Sequence, residues 1–371
     1  MHRLRWTELA DRSSFHSPWL QPEFYGALVR HHRGQTPDVV VVESPNDGRW
    51  QALALVEERW PSKSFPARHY STPEHELVFR GGLLVDSERA PRAIDCLLTG
   101  LAHLRSGVVV PGLRLDSLLA RDLEASASRL GFRWIVNHCR KVPAAFPQIT
   151  TFDYLQRHWS SSFRKSLRRR RKMLQELGEV SLRLIDRPDE TTPALDTFFR
   201  LEHASWKGAA GTSCLARPDQ SRLLAEMIHG LAARGMVLMT ELRAGDRVAA
   251  SAINFTVQGR LFAFKIGWDA ELARAAPGIL HEADLLSAAA GPLSHFTLFD
   301  SCASESSYIA PIWPERIQVG TGMIAFTSTV QWRLNCLDAA RRLRNRLGLT
   351  RQAPAPVASS NQDSDIDPAS D

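Results

Sequence analysis

The sequence predicts a two-domain α/β (α+β) protein whose sheets are mixed, mainly antiparallel and flanked by helices. Three observations carry this expectation. The chain has 371 residues, enough for two domains of about 100–200 residues each. Met236–Glu241, Val248–Val257 and Arg260–Ile266 read as three consecutive strands, turning at Ala244-Gly245-Asp246 and Gln258-Gly259. The last of these runs on through a loop into a helix over Arg260–Ala290, RLFAFKIGWDAELARAAPGILHEADLLSAAA.

In chain order, the first expected domain covers residues 1–150. Val39–Glu43 and Trp50–Glu58 flank Pro45-Asn46-Asp47-Gly48, a strong turn sequence, and so form a hairpin. Ala90–Leu104 has helical periodicity, Leu113–Leu115 is a short strand, Leu118–Leu130 a helix and Phe132–Val136 a strand. Gly81-Gly82 reads as an ordinary turn, so no phosphate-binding loop is expected in this half.

The second expected domain covers residues 151–329. Ser160–Gly178, SSSFRKSLRRRRKMLQELG, has serines able to cap a helix and a glycine able to end it. Phe163, Leu167, Leu174 and Leu177 share one face, and Arg164, Lys165, Arg168–Arg171 and Lys172 crowd the remainder. This basic helix fits a solvated face or an electrostatic clamp for an anionic acceptor or carrier. Nucleic acid is disfavoured, because no aromatics interleave with the arginines. Thr192–Trp206 is a second amphipathic helix with Leu195, Phe198, Phe199 and Leu201 inward. It leads into Ser205-Trp206-Lys207-Gly208-Ala209-Ala210-Gly211-Thr212, where Thr212 replaces the lysine of a P-loop, so nucleotide hydrolysis is not indicated.

After the three strands, Pro277-Gly278 suits the first turn of a helix on which Ile279, Ala283, Leu286 and Ala290 share a face. A strand, tight loop and helix start aim unpaired backbone N–H groups and a positive dipole end at whatever lies in front, which is an anion site suited to a pyrophosphate. Phe296–Phe299 is the next strand, and Trp313–Ile317 leads into the last one, up to Thr327. Val330–Leu347 is a basic helix with Thr329 as its cap, and the Pro/Ser/Asp-rich Arg351–Asp371 is a disordered tail.

The ordered set Glu202–Thr212, Lys265-Ile266-Gly267-Trp268-Asp269, Ala276–Leu280 and Phe299-Asp300-Ser301-Cys302 resembles the acetyltransferase domain of CelD-like (BioF-like) proteins. That domain is a branch of the GNAT superfamily related to the FemABX peptidyl-aminoacyl transferases, and it is tied by family to exopolysaccharide synthesis. The resemblance implies tandem GNAT-like domains and acetyl-CoA or another acyl-CoA as co-substrate. It places Lys265, Ile266, Gly267, Arg274, Pro277, Gly278, Ile279 and Leu280 at the cofactor. Trp206, Lys207, Trp268 and Cys302 fall to the substrate. GNAT sheets splay between their fourth and fifth strands, which sets Asp300 near the chemistry. Glu202 or Asp300 would remove a proton from the acceptor, and Tyr308 would protonate the leaving thiolate. GNAT phosphate loops commonly read [QR]-x-x-G-x-[GA]; here Arg274-Ala275-Ala276-Pro277-Gly278-Ile279 begins correctly and then departs. The branch carries Ser-Pro-Gly-type loops at this point, which Ala276-Pro277-Gly278 fits better.

The net charge of +6 and pI ≈ 9.3 favour anionic partners such as CoA or acidic glycans without choosing among them. Cys96, Cys139, Cys214, Cys302 and Cys336 show no CxxC or metal spacing, so reduced thiols and no metal are expected. The N-terminus lacks the apolar core of a signal peptide, and no run approaches the ~18–20 apolar residues of a membrane span. A soluble, cytoplasmic acyltransferase acting on a sugar, polysaccharide or cell-envelope precursor is expected. Aminoacyl transfer from tRNA and a non-catalytic GNAT-fold binding protein are the alternatives.

Overall fold

The computed structural model describes residues 2–31, 36–62 and 64–346. The elements run α1 (His2–Arg12), α2 (Pro22–His31), β1 (Asp38–Glu43), β2 (Trp50–Arg59), β3 (His69–Ser71), β4 (Leu84–Val85), α3 (Ala90–Ala102), β5 (Gly107–Arg114), α4 (Leu118–Arg129) and β6 (Arg133–Ala145). There follow α5 (Phe152–His158), α6 (Ser161–Gln175), β7 (Val180–Ile185), α7 (Pro188–Ala204), α8 (Trp206–Ala209), α9 (Pro218–Ala232), β8 (Val237–Ala244), β9 (Arg247–Val257) and β10 (Arg260–Trp268). The last elements are α10 (Pro277–Ala288), β11 (Leu298–Asp300), β12 (Glu315–Ala325) and α11 (Ser328–Arg346).

Two compact units divide the chain, and both are discontinuous. One gathers Met1–Pro22, Gly34–Arg140 and the described residues from Gln318; the other gathers Glu23–Arg33 and Lys141–Ile317. Where the sequence suggests a linear cut near residue 150, the chain interleaves. In the first unit β1, β2 and β3 pair antiparallel, β3 pairs β5 in parallel, and β5 pairs β12 antiparallel. In the second unit β7, β8, β9 and β10 pair antiparallel, β10 pairs β11 in parallel, and β11 pairs the end of β6 antiparallel. Each sheet therefore repeats one pattern: an antiparallel run, a single parallel step after a helix, and a closing strand brought from elsewhere in the sequence.

Local chemistry explains the second unit's helices. Ser160 caps α6 by accepting the Phe163 N–H at 3.1 Å, and Thr151 caps α5 through the Tyr154 N–H at 3.1 Å. Leu174 is fully buried beneath α6, whereas Leu177 lies beyond the helix end and is exposed, since the chain has already turned toward Gly178 at φ +133°. Helix α7 starts at Pro188, a turn earlier than the sequence suggests, so Pro193 sits inside it. The anchor is Thr191, buried, whose hydroxyl donates to the Arg187 carbonyl at 3.0 Å. Helix α2 belongs with α9 through the Arg30–Glu226 ion pair and the His31–Glu226 hydrogen bond, and Arg234, just past α9, pairs with Glu23 at 2.9 Å.

In the first unit, β5 and β6 are longer than the short strands expected at Leu113–Leu115 and Phe132–Val136. Gly81-Gly82 marks close packing instead of a turn. A Cβ on Gly81 would lie 2.0 Å from the Pro111 carbonyl, and one on Gly82 2.2 Å from the Phe15 ring. Thr329 lies within α11, which begins at Ser328. Leu347 and the Arg351–Asp371 tail fall outside the described residues.

Candidate active site

The site grows from a local irregularity in β10. Arg260, Leu261 and Phe262 pair in parallel with Leu298, Phe299 and Asp300; beyond them β10 continues to Trp268 while β11 ends. The β9 register shifts between Ala263 and Lys265, which leaves Phe264 as a bulge just past the point of separation. A bulge turns a strand and re-aims its backbone, and here it falls where β11 has ended, so that β10 runs on with a gap on that side. Side chains past the bulge alternate. Ile266 and Trp268 pack with Ala275 and Leu280 on the α10 side, while Lys265 faces Glu202 of α7. Gly267 is where α7 crosses: a Cβ there would lie 2.9 Å from the Glu202 nitrogen and 3.2 Å from the Phe198 carbonyl.

Helix α10 begins behind a 3-10 turn, Ala270–Ala275, that Asp269 caps through the Glu271 N–H at 3.0 Å. Arg247 holds Asp269 at 2.6 Å. Ala276 takes a left-handed conformation, φ +43°, directly before Pro277; such strain in an alanine persists only where its surroundings enforce it, and it gathers at functional sites. The donor set at this helix start is narrow. Ile279 and Leu280 N–H groups both return to the Ala276 carbonyl, at 3.1 and 3.3 Å, Ala276 N–H goes to Ala273, and proline has none. Among the described residues that leaves the Gly278 N–H, on a buried residue without a Cβ. Arg274 is exposed on the preceding turn. Ile279 is buried against the apolar cluster of Leu261, Phe299, Ile312 and Trp313, and Leu280 against that of Leu174, Leu242 and Ala250. A buried network, Asn254 Nδ2 to Thr240 Oγ1 at 3.1 Å and Thr240 Oγ1 to His281 Nε2 at 2.8 Å, fixes α10 on the sheet.

Helix α6 packs on both the 3-10 turn and α10. Arg171 pairs with Asp284 of α10, and Arg164 donates to the Gln156 carbonyl. Burial and neighbouring Arg169 hold the Arg170 guanidinium below its usual range. Lys165, Arg168, Arg169 and Lys172 remain exposed. Phe163 and Leu167 of the same helix, with Ala263, Ala303 and Tyr308, pack half-buried against the cluster around Ile279 and Phe299.

Opposite β10, Asp300 closes β11. It is buried, and its Oδ1 accepts the Cys302 N–H at 2.9 Å. Cys302 has φ +55°, so the chain leaves β11 through a left-handed residue beside the gap. Tyr308 follows in the turns before Ile312.

Glu202 is the centre of a different arrangement. It is 1% exposed, its Oε2 accepts the Cys214 N–H at 2.8 Å, and its Oε1 lies 3.7 Å from Lys265 Nζ and 4.0 Å from Lys207 Nζ. Burial raises the energy of its charge, but Lys265, the Cys214 N–H and Lys207 outweigh this and hold the carboxyl below the usual carboxylate range. Burial pushes the Cys214 thiol up to about 12. Trp206 begins α8, and its side chain lies outside the described residues. The structure thus brings Lys207, Lys265 and Glu202 together on the α7 side. Ile266, Trp268 and Pro277–Leu280 gather on the α10 side, and Asp300, Cys302 and Tyr308 lie beyond the gap. Sequence reading missed the Phe264 bulge, the left-handed Ala276 and the Cys214 contact; the Lys265–Glu202 pairing joins residues 63 apart, beyond any local pattern.

Residues 161–308 match the sequence model of the acetyltransferase (GNAT) domain. The chain thus carries a GNAT domain over that segment. The matched domain supports an acyltransferase. FemX shares the fold over 90% of this chain and 98% of its own, at 10% identity and TM-score 0.56. The C-terminal domain of a putative lysylphosphatidylglycerol synthetase from Agrobacterium fabrum does so over 96% and 98%, at 11% identity and TM-score 0.52. A conserved protein of unknown function from Bacteroides thetaiotaomicron covers 88% and 96%, at 11% identity and TM-score 0.51. No curated relative matches the sequence. In this chain the parallel β10–β11 step, the bulge and α10 fall inside the matched segment. Among the described residues there is no helix long and apolar enough to cross a membrane, and no group of three or more His, Cys, Asp and Glu able to hold a metal ion.

Proposed function

We propose that this protein transfers an acyl group from a CoA thioester, acetyl or longer, to an amine or hydroxyl of a sugar, polysaccharide or cell-envelope precursor. The observation that carries the reading is the separation of β10 from β11 near a bulge, before a helix start whose Gly278 N–H has no partner among the described residues. The Gly278 N–H and the Arg274 guanidinium meet the diphosphate. The pantetheine arm enters between the strands, and backbone of Ala263–Gly267 orients the thioester carbonyl. The acceptor nitrogen or oxygen bonds to the carbonyl carbon, the C–S bond breaks, and the acceptor's proton finishes on the CoA thiol. Asp300 takes that proton from the acceptor and Tyr308 delivers one to the thiolate. Glu202, engaged by Cys214 and two lysines, positions Lys265. A cytoplasmic location, where acyl-CoA is available, fits this chemistry.

A second reading is aminoacyl transfer from tRNA. It is favoured by α6, whose four exposed cations lie on a helix packed against α10, and by the fold shared with FemX. Thermal-shift measurements with acetyl-CoA, longer acyl-CoAs and aminoacyl-tRNA separate the readings. The proposal expects stabilisation by a CoA thioester that Gly278→Glu abolishes. Gly278→Ala preserves the fold, because its Cβ would meet nothing closer than Trp268 at 3.5 Å. A response to tRNA alone transfers the assignment to the second reading.

A further inference from the structure

We infer that Lys207 and Lys265, with Glu202 between them, form a binding site for a carboxylate carried by the acyl acceptor. The inference rests on the transferase reading only for the word acceptor; the anion site stands on its own geometry. Two ammonium groups approach a single carboxylate oxygen, at 3.7 and 4.0 Å, both beyond hydrogen-bond reach. Among the described residues neither ammonium has a hydrogen-bond acceptor. The other oxygen of Glu202 is taken by the Cys214 N–H. Two positive charges and one negative leave the cluster at +1 in a place where the lysine side chains keep only 9% and 7% of their surface. An unneutralised, unbonded buried ammonium is costly, and one carboxylate neutralises only one of the two. A second monoanion completes the set. A phosphate dianion would overshoot neutrality and set its extra charge against Glu202.

The surrounding backbone is built for this placement. Lys207 is held in a tight loop by N–H groups of Thr212 and Ser213 on its carbonyl, at 2.8 and 3.1 Å. Gly208 is required there, because a Cβ would lie 1.8 Å from the His203 carbonyl. Lys265 is fixed by the bulge one residue before it. The site's face identifies the ligand's origin. The donor lies on the α10 side with Ile266 and Trp268, whereas Lys265 leaves β10 on the α7 side, at the strand that borders the gap. The anion therefore belongs to the acceptor, as the carboxylate of a uronic acid or of an amino acid.

Calorimetric titration of the full chain with glucuronate, N-acetylalanine and uncharged glucose tests this. The wild type is expected to bind one of the carboxylates and not glucose; which one binds distinguishes the two sources. Lys207→Met should weaken that binding about tenfold or more, the effect of one unit charge. It should also leave the thermal midpoint unchanged or raised, because it removes the excess charge, whereas a purely structural lysine would lower it. Bromide-soaked crystals supply a measurement needing no variant, with an anomalous peak expected between the two Nζ atoms. Absence of both carboxylate binding and the bromide peak overturns the inference, as does unaltered binding in Lys207→Met. Acetyl-CoA titrated into the same samples reads the donor assignment separately: carboxylate binding without acetyl-CoA binding keeps this site and removes that assignment, and the reverse removes the site.

Discussion

At the scale of single residues, Glu202 and Gly267 show how closely α7 is tied to β10. Replacing Glu202 by glutamine strands two buried ammonium groups, and breaking a buried pair typically costs about 3–5 kcal/mol. Chemical denaturation of Glu202→Gln at pH 7 should read a loss of that order. The loss depends on pH in one direction. The folded carboxyl sits below its ordinary range, so its contribution is complete above the unfolded value of about 4.3 and vanishes as pH falls through the lower folded value. Wild type and Glu202→Gln should therefore converge in stability in acid and diverge above about pH 5; a gap independent of pH would contradict the ion-pair account. Gly267→Ala forces a methyl against the Glu202 nitrogen at 2.9 Å and should cost about 1–3 kcal/mol by overpacking, read from the urea midpoint.

At the scale of elements, α6 divides its charges between structure and solvent. Arg171 and Arg164 are committed to Asp284 and the Gln156 carbonyl, but Lys165, Arg168 and Arg169 are exposed. Reversing these three to glutamate should leave stability within about 0.5 kcal/mol per site. If a polyanion such as tRNA lies along the helix, its binding should weaken and the salt dependence fall by about one unit for each phosphate that is no longer neutralised. If only CoA binds, a polyanion titration stays flat in both proteins. The elements themselves are largely legible in the sequence: alternation and turn residues mark β8, β9 and β10, and Pro277-Gly278 marks the start of α10 within a residue. What local pattern does not carry is position within the third dimension. Phe264 reads as one more apolar strand residue, yet it is the bulge, set by the register against β9 just past the end of the β11 pairing. Leu177 matches the apolar face of α6 by spacing but lies past the helix end. Lys265 is visible for its backbone; its side-chain partners are set by a helix far back in the chain.

At the scale of the whole molecule, each sheet is completed by a strand from a distant stretch of sequence. Ala144 and Ala145 pair β11 in the second unit, and Val319–Ala325 pairs β5 in the first. Neither exchange carries a sequence signature, since a closing strand reads like any other. A fragment starting at residue 151 would leave β11 unpaired beside the gap, an exposed edge prone to association. It should aggregate, or lose its cooperative transition by circular dichroism, whereas a fragment retaining residues 141–150 keeps that edge covered; equal behaviour of the two would contradict the assigned pairing. The central claim remains that the gap between β10 and β11 receives a thioester whose diphosphate rests on α10. A crystal structure with acetyl-CoA tests it most directly. The account predicts a diphosphate oxygen within hydrogen-bond distance of the Gly278 nitrogen and the pantetheine arm between the two strands; a diphosphate held elsewhere, with that gap empty, would contradict it.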